Sequence, residues 1–468
     1  MIPYFPKQIA IRAIIVYLLA LLVISIAYIR YAMSFGYVAL GILFVSGFFF
    51  LSTFMSSGWK SIDAKIYVRY LCMTAVSLRL LWVIASYFFY IKATGIPFEY
   101  GAADSYGYHG EAEWLANENW SFILDYYFGA RAWGISDAGY PFYLTVLYKL
   151  FGPVIIIPRF IKALISTATC VLIYKLCSRT FCETTGRMAG IMAALMPNLI
   201  IYCGYHLKET EMIFLEVAFL ERLDYLVRSR KISFWSVFIP SVLALSLFLF
   251  RTAMGLSAIF AFATSVLLST TPSMKKGWRR LLLVCWGVLG LVVFGGGRIM
   301  TEVESLWEGR ETNASLRRYE QTSRGNQWAQ YATTTVMAPM AFVLPFATMV
   351  DVSQQYGQQE KSGGNYVRNF MGFFTLLALY EAFRRKKWRD YSIIGSFVIA
   401  YLGIVAFSAF SSSERFLLPG LPCLIAMWAY GISVLRPKTY KLVLPWCIVV
   451  FVMEFAWAFF KLGSRGLF

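Results

Sequence analysis

Residues 9–29 read IAIRAIIVYLLALLVISIAYI, and this stretch decides the fold class. At a rise of about 1.5 Å per residue, a helix of that length crosses a hydrocarbon core of about 30 Å. Only Arg12 carries a charge in it. The run is too long and too continuous for a signal-peptide core, and no small-residue cleavage site follows it, so it is expected to stay in the protein. Comparable apolar runs recur at 34–54, 67–91, 154–177, 188–202, 211–227, 234–250, 252–269, 281–294, 367–383, 391–407, 416–435 and 442–460. The expected fold is an all-α polytopic membrane protein of about 13 transmembrane helices. Two further apolar stretches break the alternation. Residues 140–151 are too short to cross, and 336–350 carry Pro339 and Pro345, so both are expected to be re-entrant or half-membrane helices.

Composition agrees. Of 468 residues 59% are apolar and 15% charged, against roughly 25% charged in soluble domains. The net charge of +18 could suggest nucleic acid. Its Lys and Arg instead fall in short clusters between apolar runs, such as Arg228/Arg230/Lys231, Lys275/Lys276/Arg279/Arg280, Arg384/Arg385/Lys386/Lys387/Arg389 and Arg436/Lys438/Lys441. That is the positive-inside signature, so no nucleic-acid partner is expected. Most cysteines sit inside apolar runs (Cys72, Cys170, Cys285, Cys423, Cys447) with no disulfide or zinc spacing.

With the basic clusters inside, the N-terminus is inside too, and segments 92–139, 204–210, 295–335, 351–366 and 408–415 face outward. These outer segments hold most of the carboxylates and both histidines, His109 and His206. A passive scaffold has no need of such a collection of acids, whereas an active site on the outer face does. In the first outer loop, Glu99 to Trp114 place acid, phenol and imidazole close together: Asp104, Tyr106, His109, Glu111 and Glu113. Asp104 follows small residues just after a span, where a partly desolvated carboxylate can act as general base. From Tyr108 onward an interfacial helix is expected, with Trp114, Leu115 and Trp120 at headgroup level.

The second outer loop reads His206-Leu207-Lys208-Glu209-Thr210-Glu211. Lys208 can meet a phosphate and Glu209 orient an acceptor, or the pair can anchor a helix end by snorkelling. Arg251 interrupts an apolar stretch at an outer boundary, and Glu414-Arg415 opens the span that continues Phe416-Leu417-Leu418-Pro419. A guanidinium fork there suits a lipid phosphate, or serves as an interfacial anchor. The loop 295–335 mixes Arg and Glu and reads as a solvated cover. No cofactor is required. A divalent metal held by His109, His206 and nearby acids is the lesser option, since two histidines on separate loops give no ligand spacing.

The order of these features resembles the GT-C superfamily of integral-membrane glycosyltransferases, in particular bacterial relatives of protein mannosyltransferases and aminoarabinose transferases. The pattern covers most of 79–431. Asp104 in the first outer loop leads to Gly139-Tyr140-Pro141-Phe142-Tyr143 and a short helix ending Leu150-Phe151-Gly152. Pro158-Arg159-Phe160 with Lys162-Ala163-Leu164 follows, then Tyr174 to Arg179, Ala189 to Pro197, the acidic Lys208-Glu209 loop, and a late Arg415-Phe416-Leu417-Leu418-Pro419. The resemblance implies sugar transfer from a polyprenyl-phosphate carrier to a glycan, lipid or protein acceptor, with inversion, at the outer face of a bacterial cytoplasmic membrane. It implies Asp104 as catalytic base, Lys208 and Glu209 where the family keeps a second-loop acid, and Arg415 facing the carrier phosphate. The expected site is therefore Asp104 and Glu209 as catalytic residues, with Tyr106, His109, Glu111, Lys208, Arg251 and Arg415 binding substrate. Two departures stand out: Ser105 follows Asp104 where a second acid is usual, and Lys208-Glu209 replaces a plain Asp.

The domain reading is a two-helix addition over 1–66, a GT-C-like transmembrane module over 67–294, an outer region with a re-entrant helix over 295–366, and C-terminal transmembrane helices over 367–468. Two rivals remain. A polysaccharide polymerase or O-antigen-ligase-type enzyme would lean on outer arginines and tolerate loss of Asp104. A lipid or glycan transporter would show internal repeats and mid-membrane charges.

Overall fold

A bilayer core has no water to satisfy backbone polar groups, so long apolar runs must become helices that bond internally. In the computed structural model, described for residues 2–129, 136–229, 233–269, 287, 340–352, 356–406, 413–463 and 467, helices form throughout and no strand occurs among the described residues. The N-terminal runs give α1 (Lys7–Ala27), α2 (Phe35–Gly58) and α3 (Ala64–Thr94). Asp63 caps α3 by accepting from the Lys65 backbone N at 2.8 Å, and Gly95 closes it in a left-handed conformation at φ 82°. Then come α4 (Ala103–Ala116), α5 (Trp120–Phe128), α6 (Gly139–Phe151), α7 (Ile156–Thr180), α8 (Glu183–Leu195), α9 (Pro197–Ile201), α10 (Glu209–Arg228), α11 (Phe234–Phe248) and α12 (Thr252–Leu268). The later described helices are α13 (Tyr356–Glu360), α14 (Ser362–Arg384), α15 (Ser392–Ala406), α16 (Glu414–Leu417), α17 (Leu421–Ser433), α18 (Pro437–Tyr440) and α19 (Val443–Gly463).

Every expected span among the described residues is helical, but length and composition do not confirm thirteen crossings. Among the described residues six helices are long and apolar enough to cross: α1, α2, α3, α7, Glu414–Ser433 and Pro437–Gly463, with a seventh if the bent pair α8 and α9 is one span. The other described helices fall outside that test for local reasons. α10 carries seven charged residues, and α11, α12 and α15 are 15 to 17 residues long. The expected span 281–294 and loop 295–335 lie outside the described residues.

Burial sorts the helices. Leu22, Ile26, Phe50, Phe54 and Leu81 on α1 to α3 are more than half exposed, as a lipid-facing surface requires, whereas α17 is buried along its whole length and α14 over most of it. Their close approach depends on Gly431, because a Cβ there would overlap the Phe374 carbonyl. Buried Tyr17 of α1 packs on Tyr366 of α14 at 4.8 Å between ring centres, which joins α1 to the core.

Two irregular segments shape the site. α8 and α9 meet at a 53° bend before Pro197, which cannot continue the ladder of hydrogen bonds. The carbonyls of Ala193 and Ala194 that the bend frees accept from Arg79 at 3.2 and 3.1 Å. Arg79 is fully buried in α3 and also donates to Ser166 Oγ, Cys170 Sγ and the Ala75 carbonyl. Two of its five donated bonds thus serve the opened helix end, and the other three tie the buried guanidinium to α3 and α7. The second segment corrects an expectation. Residues 340–350, the described part of the expected half-membrane helix 336–350, form no α-helix. Pro345 removes a donor, and buried Arg368 and Asn369 on α14 satisfy the backbone instead, donating to the carbonyls of Ala341, Val343 and Pro345.

Candidate active site

At one end of the bundle, five elements bring charged side chains to a single point. Asp104 lies in the first turn of α4, where the helix dipole favours an acid, and its side chain is 55% exposed. Arg415, on α16, donates Nη1 to Asp104 Oδ2 and Nε to Glu209 Oε1. Glu209 opens α10 and is fully buried, and its Oε2 has no hydrogen-bond partner. Arg251, between α11 and α12, lies 3.6 Å from Glu209 Oε1, donates to Tyr401 Oη at 3.1 Å and stacks 4.2 Å from the Phe416 ring centre. Lys208 donates to the Phe250 carbonyl at 2.6 Å and pairs with Asp137. Burial, aided by Arg251, pushes its ammonium down to about 7. Tyr108, one turn after Asp104, also contacts Arg415, and burial pushes its phenol up to about 12.

Arg415 is aimed through its neighbour. Glu414 accepts from Asn198 Nδ2 at 2.7 Å and Tyr202 Oη at 2.6 Å, and pairs with Lys361 at 3.1 Å. Asn198 follows Pro197 at the bend, so the break between α8 and α9 is what points it at Glu414. Gly364 leaves room for that side chain, since a Cβ there would overlap Asn198 Oδ1.

A second polar group lies under α4. His109 Nδ1 is 2.8 Å from Tyr148 Oη, which is 3.2 Å from His206 Nε2. Burial lowers the pKa of both imidazoles, and Lys162 lowers that of His206 further. Lys162 donates to the Tyr205 carbonyl at 3.0 Å and lies 3.6 Å from Glu211, while Glu99 accepts from Ser105.

Of the residues expected at the site, the structure gathers Asp104, Lys208, Glu209, Arg251 and Arg415. It places three elsewhere. Tyr106 is 44% exposed and packs on Phe98, 4.6 Å between ring centres. His109 belongs to the Tyr148 network. Glu111 is half-buried beside Tyr127, where burial raises its carboxyl. Among the described residues no group of three His, Cys, Asp or Glu has metal-holding geometry, and the His109 and His206 rings stand 5.9 Å apart. Sequence reasoning missed Tyr108, Asp137, Lys361 and the role of Glu414 in aiming Arg415. Only Glu414 left a signal, an acid beside Arg415 at the start of an apolar run.

No known family model matches the chain, and no curated protein matches it. Among solved structures it is similar to ArnT from Cupriavidus metallidurans bound to undecaprenyl phosphate, at 14% identity and TM-score 0.47, over 83% of this chain and 64% of that one. It is also similar to the Archaeoglobus fulgidus oligosaccharyltransferase in complex with Zn and sulfate, at 13% identity and TM-score 0.48, over 84% of this chain and 53% of that one. The same archaeal enzyme tethered to an acceptor peptide containing the NVT sequon aligns at 13% identity and TM-score 0.44, over 84% and 55%. The chain thus spans less than two thirds of the length of each.

Proposed function

We propose that this chain is an integral-membrane glycosyltransferase of the GT-C type. It moves a sugar from a polyprenyl-phosphate carrier to a hydroxyl of a glycan, lipid or protein acceptor at the outer face of a cytoplasmic membrane. The observation that carries this reading is one guanidinium, Arg415, held between an exposed carboxylate and a buried one, with Arg251 and Lys208 beside it. A sugar phosphodiester needs both halves of that arrangement: a base for the attacking hydroxyl and cations for the departing phosphate.

The acceptor oxygen attacks the anomeric carbon from the face opposite the phosphate, so configuration inverts. The bond from that carbon to the phosphate oxygen breaks, and its electron pair leaves with the carrier phosphate. The hydroxyl proton passes to Asp104. The donor phosphate competes with Asp104 for the outward edge of Arg415. Once it takes that edge, the Asp104 carboxylate is released from Arg415 and can accept the proton of the attacking hydroxyl. Glu209, fully buried behind Arg415, keeps Arg415 and Arg251 in place and is a positioning residue rather than a group that touches substrate.

Asp104→Asn keeps the size of the side chain and removes the proton acceptor. Single-turnover transfer from a synthetic polyprenyl-phosphate sugar is expected to fall by about 10² to 10⁴, with donor binding intact. Turnover within a few-fold of the parent overturns the base assignment and favours a polymerase or ligase that does not use Asp104.

A further inference from the structure

A cavity of about 590 Å³ opens between α2, α3 and the residue that ends α13, Glu360. Four aromatic side chains, Tyr37, Trp82, Phe89 and Tyr100, are among those that line it. Phe89 and Tyr100 meet edge to face at 6.3 Å. Glu360 is 3% exposed and accepts from Tyr90 Oη at 2.6 and 2.7 Å and from Tyr205 Oη at 2.9 Å. Among the described residues that line the cavity, this carboxyl is the one group able to carry a formal charge near neutral pH, and no Lys or Arg is among them. Lys361, next in sequence, pairs with Glu414. Two other polar groups in the wall are already used: Trp82 Nε1 donates to the Ile201 carbonyl and Ser86 Oγ to the Val83 carbonyl.

A buried carboxyl in a cavity lined by four aromatic side chains favours one kind of ligand. Ring quadrupoles and a carboxylate both attract a cation, and both repel an anion. A neutral hydroxyl can donate a hydrogen bond to the carboxylate, as Tyr90 and Tyr205 already do, but forms no ion pair with it. We propose that this cavity binds the primary ammonium group of a small amine or of an aminolipid headgroup, with Glu360 as the counter-ion and Tyr37, Trp82, Phe89 and Tyr100 as the cage. The size suits an ammonium carried on a larger body, because pockets of about 300 to 1,000 Å³ hold drug-sized ligands. Burial holds the Glu360 carboxyl up at about 7, so an arriving cation completes an ionisation that the empty cavity resists. α2 supplies one wall, and α2 lies in the two-helix addition outside the region that carries the family resemblance. This inference does not rest on the glycosyltransferase reading.

The test is binding, not turnover. Purified protein in detergent is titrated by calorimetry with ethanolamine and with its neutral counterpart 1,2-ethanediol. In parallel, protein recovered from nanodiscs containing phosphatidylethanolamine or phosphatidylglycerol is examined for retained lipid by native mass spectrometry. Saturable binding of ethanolamine without ethanediol supports a soluble amine. Retention of phosphatidylethanolamine over phosphatidylglycerol supports an aminolipid headgroup. Glu360→Gln, which can still accept from both tyrosines, is expected to weaken either interaction at least tenfold, and Phe89→Leu by about fivefold. Equal binding of ethanolamine and ethanediol overturns the proposal, as does absence of binding in both arms or unchanged binding in a folded Glu360→Gln protein. If Glu360→Gln does not fold, unchanged binding in Phe89→Leu overturns it.

Discussion

A lysine only 3% exposed to solvent, as Lys208 is, keeps its proton poorly. Its ammonium titrates at about 7, well below the ordinary lysine value, so the cationic fraction falls up to tenfold per pH unit above that point. If Lys208 helps hold the donor phosphate, the donor KM is expected to rise as pH climbs from 7 to 8.5, and Lys208→Met should flatten that rise. An identical profile in the variant would remove Lys208 from phosphate binding. Residues of this kind were half legible in the sequence. Asp104, Lys208, Glu209, Arg251 and Arg415 stand out as charges at the edges of apolar runs, where charge is expensive. Their pairing was not legible, because Asp104 and Arg415 are 311 residues apart. Tyr106 and His109 share a loop with Asp104, but α4 turns them onto other faces, and Glu111 lies two turns further along the helix, a consequence of helical geometry that proximity in sequence conceals.

The bend between α8 and α9 is an element that works only because another helix completes it. Arg79→Leu would leave the Ala193 and Ala194 carbonyls unsatisfied in a dry interior, at a cost of about 1–3 kcal/mol each. It would also free the segment that carries Asn198 and Tyr202, and with it the grip on Glu414. Lower thermal stability in detergent and lost sugar transfer are therefore expected together in Arg79→Leu, with Arg79→Lys intermediate because three donors remain. Wild-type stability in Arg79→Leu would show that the bend holds itself. Helix positions were largely legible, since 9–29, 34–54, 67–91 and 154–177 each fall within a few residues of α1, α2, α3 and α7. Residues 340–350 were not. Apolar composition there suggested a helix, whereas the backbone partners that hold an irregular path are supplied from α14, out of view of any local pattern.

Across the whole molecule, charge is sorted by end. α10 runs from Glu209 at the Asp104 end to Arg228, which donates to the Asp390 carbonyl, and α14 runs from beside Glu414 to Arg384, where Glu381 binds Arg384, Arg385 and Arg436. The described basic clusters thus gather at the end opposite Asp104. The positive-inside rule leads us to propose that this end faces the cytoplasm. In a cysteine-free background, Glu113→Cys is expected to react with an impermeant maleimide added outside intact cells, and Lys386→Cys only after permeabilisation. The reverse pattern would place the site on the cytoplasmic side. One pair of helices carries a further consequence. Tyr440 Oη donates to Gln8 at the start of α1, and Tyr31 Oη, just past its end, donates to the Leu467 carbonyl. α1 and α19 therefore point the same way. The chain must make an odd number of passages between Lys7 and Gly463, whatever path it takes between them. Compartment reporters placed just before α1 and just after α19 then act as a parity check: opposite signals mark a correctly inserted molecule, and matching signals mark one that has lost or gained a crossing.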